Sequence, residues 1–280
     1  MIKSLLRRLT TAPVALDDAT WNAALEAVPF AGRLTAAERE RLRALVSEFL
    51  ATKEMAGAGG LELTAAIQLH IAIQACLPIL ELGLHWYRGW QSIVVYPGEF
   101  VVPRRHADED GVVHEYQETI SGEAWEGGPL VLSWDDAARA GREAAPYSVV
   151  VHEFTHKLDM LDGEADGCPP FDPKLHAGLD RSEWEATLHD AFERFNAELD
   201  LIEAELPPDV DPESEAADPY YAHLPLDAYA AHDPAEFFAV SSEAFFVDAA
   251  RLQLAFPDWY ALLTRFFRQD PLAARPASSP

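Results

Sequence analysis

Hydrophobic and polar residues follow two periods along this chain, and the change from one to the other marks out its elements. From Thr35 to Lys53, Leu42, Leu45, Val46, Phe49 and Leu50 share one face of a 3.6-residue repeat. Thr35 with Glu38 three positions on forms a capping box, so the spacing predicts an amphipathic helix. Gly57-Ala58-Gly59-Gly60 breaks that pattern, and the apolar stretch from Leu61 to Leu84 then predicts a buried helix that Pro78 kinks or divides. Gln68, His70, Gln74 and Glu81 would be stranded in a bilayer, so this stretch is expected in a protein core and not across a membrane.

Short runs of β-type residues come next. Ser92 to Tyr96 and Phe100 to Val102 are split by Pro97-Gly98, and Pro129 to Trp134 follows the Gly127-Gly128 turn, which together predict a small sheet. Helical spacing returns after Pro146 and runs through Leu161, with Gly163 as its stop. A second amphipathic helix opens at Ser182 and runs to Glu203. Residues 206–226 are rich in Pro and acidic side chains with little periodicity, so an exposed excursion is expected there. Asp233-Pro234-Ala235-Glu236 starts a last predicted helix, apolar at Phe237, Phe238, Val240 and Phe245. The predicted organisation is α+β and mostly helical. A helical N-terminal part over residues 1–90 packs on a second domain over 91–270, and 271–280 form a disordered tail.

Composition narrows the function. A 280-residue chain with 49% hydrophobic residues can bury a real core. Its 21 Lys and Arg against 47 Asp and Glu leave a net charge of -26, which repels phosphate backbones and anionic lipid, so neither direct nucleic-acid binding nor membrane binding is expected. Cys76 and Cys168 make no disulfide framework or Cys-x-x-Cys pair, and the apolar run after Met1 is too short for a signal peptide; both point to the cytoplasm.

The chemistry concentrates in His152-Glu153-Phe154-Thr155-His156. Two imidazoles four residues apart share one helix face and can share one cation, zinc being the natural ion. The alternative is two histidines satisfied by ordinary hydrogen bonds. Against it, Val149, Val150, Val151 and Leu158 make the helix core-like, and a buried polar trio needs a partner. Catalytic zinc takes a third protein ligand, for which three carboxylates compete. Asp162 lies six residues after His156, but Asp159 in place of a turn glycine would prolong the helix and carry it away. Glu236 and Glu243 sit two turns apart on one face of the later helix, and Glu236 has a competing role as a capping residue. The residues alone leave the choice between them open.

Beyond the zinc motif, the segments 77–84, Tyr96-Pro97 with Phe100-Val101-Val102, 128–134, His152 to Asp159, and 227–246 resemble the Mlc titration factor A family of bacterial zinc peptidases. The catalytic region is also similar to that of anthrax lethal factor. The resemblance implies a zincin-like fold holding one Zn2+ per chain on His152, His156 and Glu236, with Glu153 as general base and Tyr229 stabilising the oxyanion. It makes Asp159 a residue that orients a ligand histidine and leaves Glu243 as a supporting carboxylate. Tyr220 and Tyr221 have no such support, and the acidic segment before Tyr229 departs from the family pattern.

The implied activity is hydrolysis of peptide bonds, aminopeptidase-like, with Leu130, Val131, Leu132 and Ser133 as the strand along which substrate backbone adds. The rival reading is a binding protein that sequesters a glucose-responsive transcriptional repressor, with or without catalysis. A third is a zinc hydrolase acting on other amides.

Overall fold

The computed structural model describes residues 12–107, 113–142, 146–212, 214 and 216–273, with the side chains of 102–119 outside that description. Much of the predicted tail, 274–280, lies outside the described residues. Among those described, the architecture is α+β and mostly helical, with a small mixed sheet.

Helices α1 (Asp18–Glu26) and α2 (Ala36–Thr52) lead into strand β1 (Glu54–Gly57) and helix α3 (Ala65–Cys76). The capping box on α2 forms as expected, Thr35 accepting from the Glu38 N–H while the Glu38 carboxylate takes the Thr35 N–H at 2.6 Å. The long apolar helix is shorter than its pattern. Thr64 caps it from below, and after Cys76 the chain continues in turns, because Pro78 has no N–H to donate and Leu80, Leu82 and Gly83 bond within tight turns instead. The glycine-rich break holds the end of β1, a strand with no alternation that pairs in parallel with residues 92–95.

Strand β2 (Ser92–Tyr96) forms as predicted, and β3 (Phe100–Ala107) extends well beyond Val102 to pair with the unforeseen β4 (Val113–Ile120) as an antiparallel hairpin. Strands β5 (Gly122–Ala124) and β6 (Leu130–Ser133) complete the main sheet in the order β1-β2-β6-β5. The first three strands are parallel, and β5 runs antiparallel on the edge. Since β1 comes from the helical N-terminal region, the sheet joins residues on both sides of position 90, and one continuous apolar cluster runs from Trp21 to Phe267.

Helix α4 (Trp134–Arg139) follows β6, and α5 (Val149–Asp159) then packs across β5 and β6. Three successive valines open α5, a run that favours strands. Ser148 overrides it as N-cap, accepting the Val151 N–H at 3.2 Å, and burial of all three side chains rewards the helix. Beyond it lie α6 (Arg181–Glu203), the one-turn α7 (Asp218–Tyr221), α8 (Pro234–Val247), α9 (Ala249–Ala255) and α10 (Pro257–Phe267). Helix α8 is buried on every side from Phe237 to Phe246, which explains why its sequence has no polar face. Around it Trp184, Phe238, Trp259 and Phe266 stack edge to face, with Trp184 and Trp259 only 4.7 Å apart. The acidic excursion is anchored rather than wholly exposed, because Ala217, Leu224 and Leu226 are buried.

Candidate functional site

The i, i+4 spacing of α5 sets its two histidines side by side, with Nε2 of His152 and Nε2 of His156 3.1 Å apart. Facing them is the first turn of α8. Asp233 caps that helix, accepting from the N–H groups of Ala235 and Glu236 at 2.8 and 2.9 Å, and the Glu236 carboxylate does not close a capping box on it. Its Oε2 instead lies 3.1 Å from His152 Nε2 and 3.3 Å from His156 Nε2.

Three donor atoms thus form a near-equilateral triangle on two helices, and these residues are the group that could hold a metal ion among those described. An ion bound tetrahedrally at about 2.0–2.1 Å sets its ligands roughly 3.3 Å apart, so the triangle fits. The chemistry fits too: two imidazole nitrogens and a carboxylate oxygen converge, and that buried Oε2 has no hydrogen-bond partner among the described residues. Burial opposes charge on this set, but the closeness of carboxylate and imidazole prevails: Glu236 and Glu243 raise the His152 pKa, and the two histidines hold Glu236 well below the usual carboxylate range.

Glu243 lies two turns further along α8, on the outer nitrogen of His152, with Oε1 2.9 Å from Nδ1. Its Oε2 accepts the Ser148 N–H at 2.5 Å, and Ser148 Oγ donates to Gln74 at 2.9 Å, so a buried polar chain runs from α3 to the imidazole. Gln74 and Ser148 were not anticipated as site residues; the capping position of Ser148 was the one local signal.

Glu153 is 5% exposed, and its Oε2 has no hydrogen-bond partner among the described residues. Burial pushes its pKa to about 7, with Glu236 and Glu243 adding to the rise and the two histidines opposing it. The carboxylate lies against β5, where a Cβ on Gly122 would come within 2.4 Å of Glu153 Oε1. Only glycine lets the edge strand approach that closely. The turn joining β5 to β6 is held to the same helix by buried Lys157, whose Nζ donates to the carbonyls of Trp125 and Gly128. Burial lowers the pKa of Lys157 to about 8.

A cleft of about 540 Å³ opens over Glu153 and the triangle, with β5 and Tyr147 also among its walls. Tyr229, on the 3₁₀ turn Ala228–Ala231, is half exposed there with its ring 6.2 Å from that of His152. Tyr220 and Tyr221 lie apart from the cleft on α7.

Two expectations need correction. Leu130, Val131, Leu132 and Ser133 cannot receive an added strand, because β6 is paired with β2 on one side and β5 on the other; the edge strand at the cleft is β5. Helix α5 ends at Asp159 rather than running on, and Asp162 is outside the site, paired on the surface with Arg181 at 3.4 Å. Asp159 accepts the Gly167 N–H with Oδ2 at 2.8 Å, and the carboxylate on His152 Nδ1 is that of Glu243.

The family model described as glucose-regulated metallo-peptidase M90 matches residues 3–268. Relatives named Mlc titration factor A agree with it. The one from Salmonella schwarzengrund is 38% identical over 255 residues, covering 91% of this chain and 88% of the relative. The one from Klebsiella pneumoniae subsp. pneumoniae is 38% identical over 256 residues with the same coverage. A metal ion is what such a family implies, and the triangle of His152, His156 and Glu236 could hold it. With the match spanning nearly the whole chain, this protein belongs to the glucose-regulated metallo-peptidase M90 family.

Proposed function

We propose that the protein is a zinc-dependent peptidase of aminopeptidase-like action, working in the cytoplasm, with His152, His156 and Glu236 holding one zinc ion. The observation that carries this reading is the convergence of the three donor atoms beside a buried carboxylate, Glu153, at the floor of an open cleft. Zinc when bound supplies a Lewis acid that acidifies water and polarises a carbonyl.

The chain's own residues do the rest. Glu153, kept near neutrality by burial, takes a proton from the attacking water at its carboxylate and delivers it to the leaving amine. Tyr229 at the cleft wall donates its hydroxyl hydrogen to the carbonyl oxygen as charge develops there. Strand β5, the last in the order of the main sheet, pairs along the cleft with an extended substrate, and Gly122 brings β5 against Glu153.

Glu153→Gln keeps size and polarity but cannot accept the proton. Zinc content and thermal stability should be nearly retained while peptide turnover falls by roughly 100-fold or more. Loss of zinc would make Glu153 a structural residue, and full activity would refute the mechanism. Blocking the substrate amine by acetylation should abolish cleavage if the action is at the N-terminus.

The name of the relatives, Mlc titration factor A, supports a second reading, in which this chain also sequesters a repressor of the Mlc kind. Such docking senses the exterior rather than the catalytic proton, so pull-down of that repressor should survive Glu153→Gln.

A further inference from the structure

Gly167 stands where the ends of three helices meet. Its N–H donates to Asp159 Oδ2 at 2.8 Å, at the C-terminal end of α5. Its carbonyl accepts from Trp184 Nε1 at 2.8 Å, in the first turn of α6. On its third side the residue abuts the start of α8: a Cβ would lie 2.5 Å from the Pro234 carbonyl oxygen and 2.8 Å from Leu188 Cδ2. Its φ of +79° lies in the left-handed region that favours glycine. The contact is deep, since Asp159 and Trp184 are 1% and 0% exposed.

Helix α5 carries His152 and His156, and Pro234 is two residues before Glu236. We propose that Gly167, clamped by Asp159 and Trp184, is a positioning residue: it is the spacer that sets how far Glu236 stands from the two histidines. The clamp fixes the glycine to α5 and α6, and close packing transmits its thickness to the first turn of α8, because interiors yield little to an added methyl group. Asp159 therefore acts on the third ligand, through the backbone of Gly167. The inference rests on the metal reading above, and the test separates the two.

Zinc affinity is measured by chelator competition on Gly167→Ala, Trp184→Phe and Asp159→Leu, each also in a Glu236→Ala background, with the melting midpoint of the metal-free proteins alongside. Trp184→Phe removes the Nε1–H but keeps an aromatic ring, so it serves where Gly167→Ala fails to fold. In the otherwise native chain each change should weaken zinc by about tenfold or more. Without Glu236 the same changes should alter the remaining affinity by less than about twofold, since the ligand they displace is gone. The loss of melting temperature should be alike in both backgrounds, and Asp159→Asn, which keeps an acceptor for Gly167, should bind zinc nearly as the native chain does. Equal zinc losses in both backgrounds would overturn the spacer and leave a general structural role, as would native affinity in a folded Gly167→Ala or Trp184→Phe protein. Native affinity in Glu236→Ala alone would remove the ligand assignment, and the proposal with it.

Discussion

Glu243 holds His152 by its outer nitrogen, Oε1 to Nδ1 at 2.9 Å, while its other oxygen takes the Ser148 N–H that opens the same helix. One buried carboxylate therefore fixes both the imidazole and the backbone that carries it. A supporting carboxylate of this kind typically changes metal affinity by about 10- to 100-fold.

Glu243→Gln should accordingly weaken zinc binding by about that factor, since an amide nitrogen would meet one of two donors. Glu236→Ala, which removes the proposed third ligand outright, should weaken it further. Chelator competition on the two variants gives the order, and the reverse ranking would make Glu243 the third ligand.

Gly122→Ala tests the approach of β5 to Glu153, the proposed base. Its methyl group would collide with Glu153, whose Oε1, Cγ and Cδ all lie within 2.8 Å of it. Zinc should stay bound, while turnover falls by roughly 100-fold for a displacement of about 1 Å. The strain should cost about 1–3 kcal/mol of stability and vanish in Glu153→Ala, which clears the space. Persistence of that cost without the Glu153 side chain would mean that the strand, not the base, is what the methyl disturbs.

Tyr229→Phe should leave zinc and melting temperature unchanged, because the residue is 50% exposed and contributes little packing. The expected change is a fall in kcat of roughly 10- to 100-fold with KM little altered, the pattern of an interaction made in the transition state. A native kcat would return Tyr229 to the role of a wall residue.

His176 predicts a pH dependence of folding away from the cleft. Its Nδ1 accepts the Asp172 N–H and its Nε2 donates to the Phe266 carbonyl, both at 3.0 Å, which requires the neutral ring. Burial accordingly lowers its pKa, with the Phe266 bond opposing. The unfolded chain binds this proton more readily, so the stabilisation is fully present above about pH 6.5 and is lost as pH falls through the folded pKa. In urea titrations between about pH 7.5 and 5, His176→Asn should be less stable than the native chain at the upper end, with the gap narrowing on acidification. A constant gap would show that His176 does not carry the titration.

What lay open in the sequence was local. The capping box of Thr35 and Glu38, the shared face of His152 and His156, and the Asp233 start of α8 are all set by residues within one or two turns of each other. Their spacing alone predicts their geometry. The choice between Glu236 and Glu243 was not of this kind. Both occupy one face of one helix, and which of them reaches the inner nitrogens depends on how α8 lies across α5. The same holds for β1 and β5, strands of four and three residues without alternation, which exist because distant strands pair with them. Gly122, Gly167, Gln74 and Ser148 act through contacts with residues from 8 to 95 positions away, several made by backbone or by the absence of a side chain. Periodicity and capping therefore determined the helix that presents two imidazoles and the Glu153 carboxylate, whereas tertiary packing alone decided which carboxylate of α8 meets the inner nitrogens and which strand faces them, because a sequence encodes short-range order directly and long-range contact only through the fold.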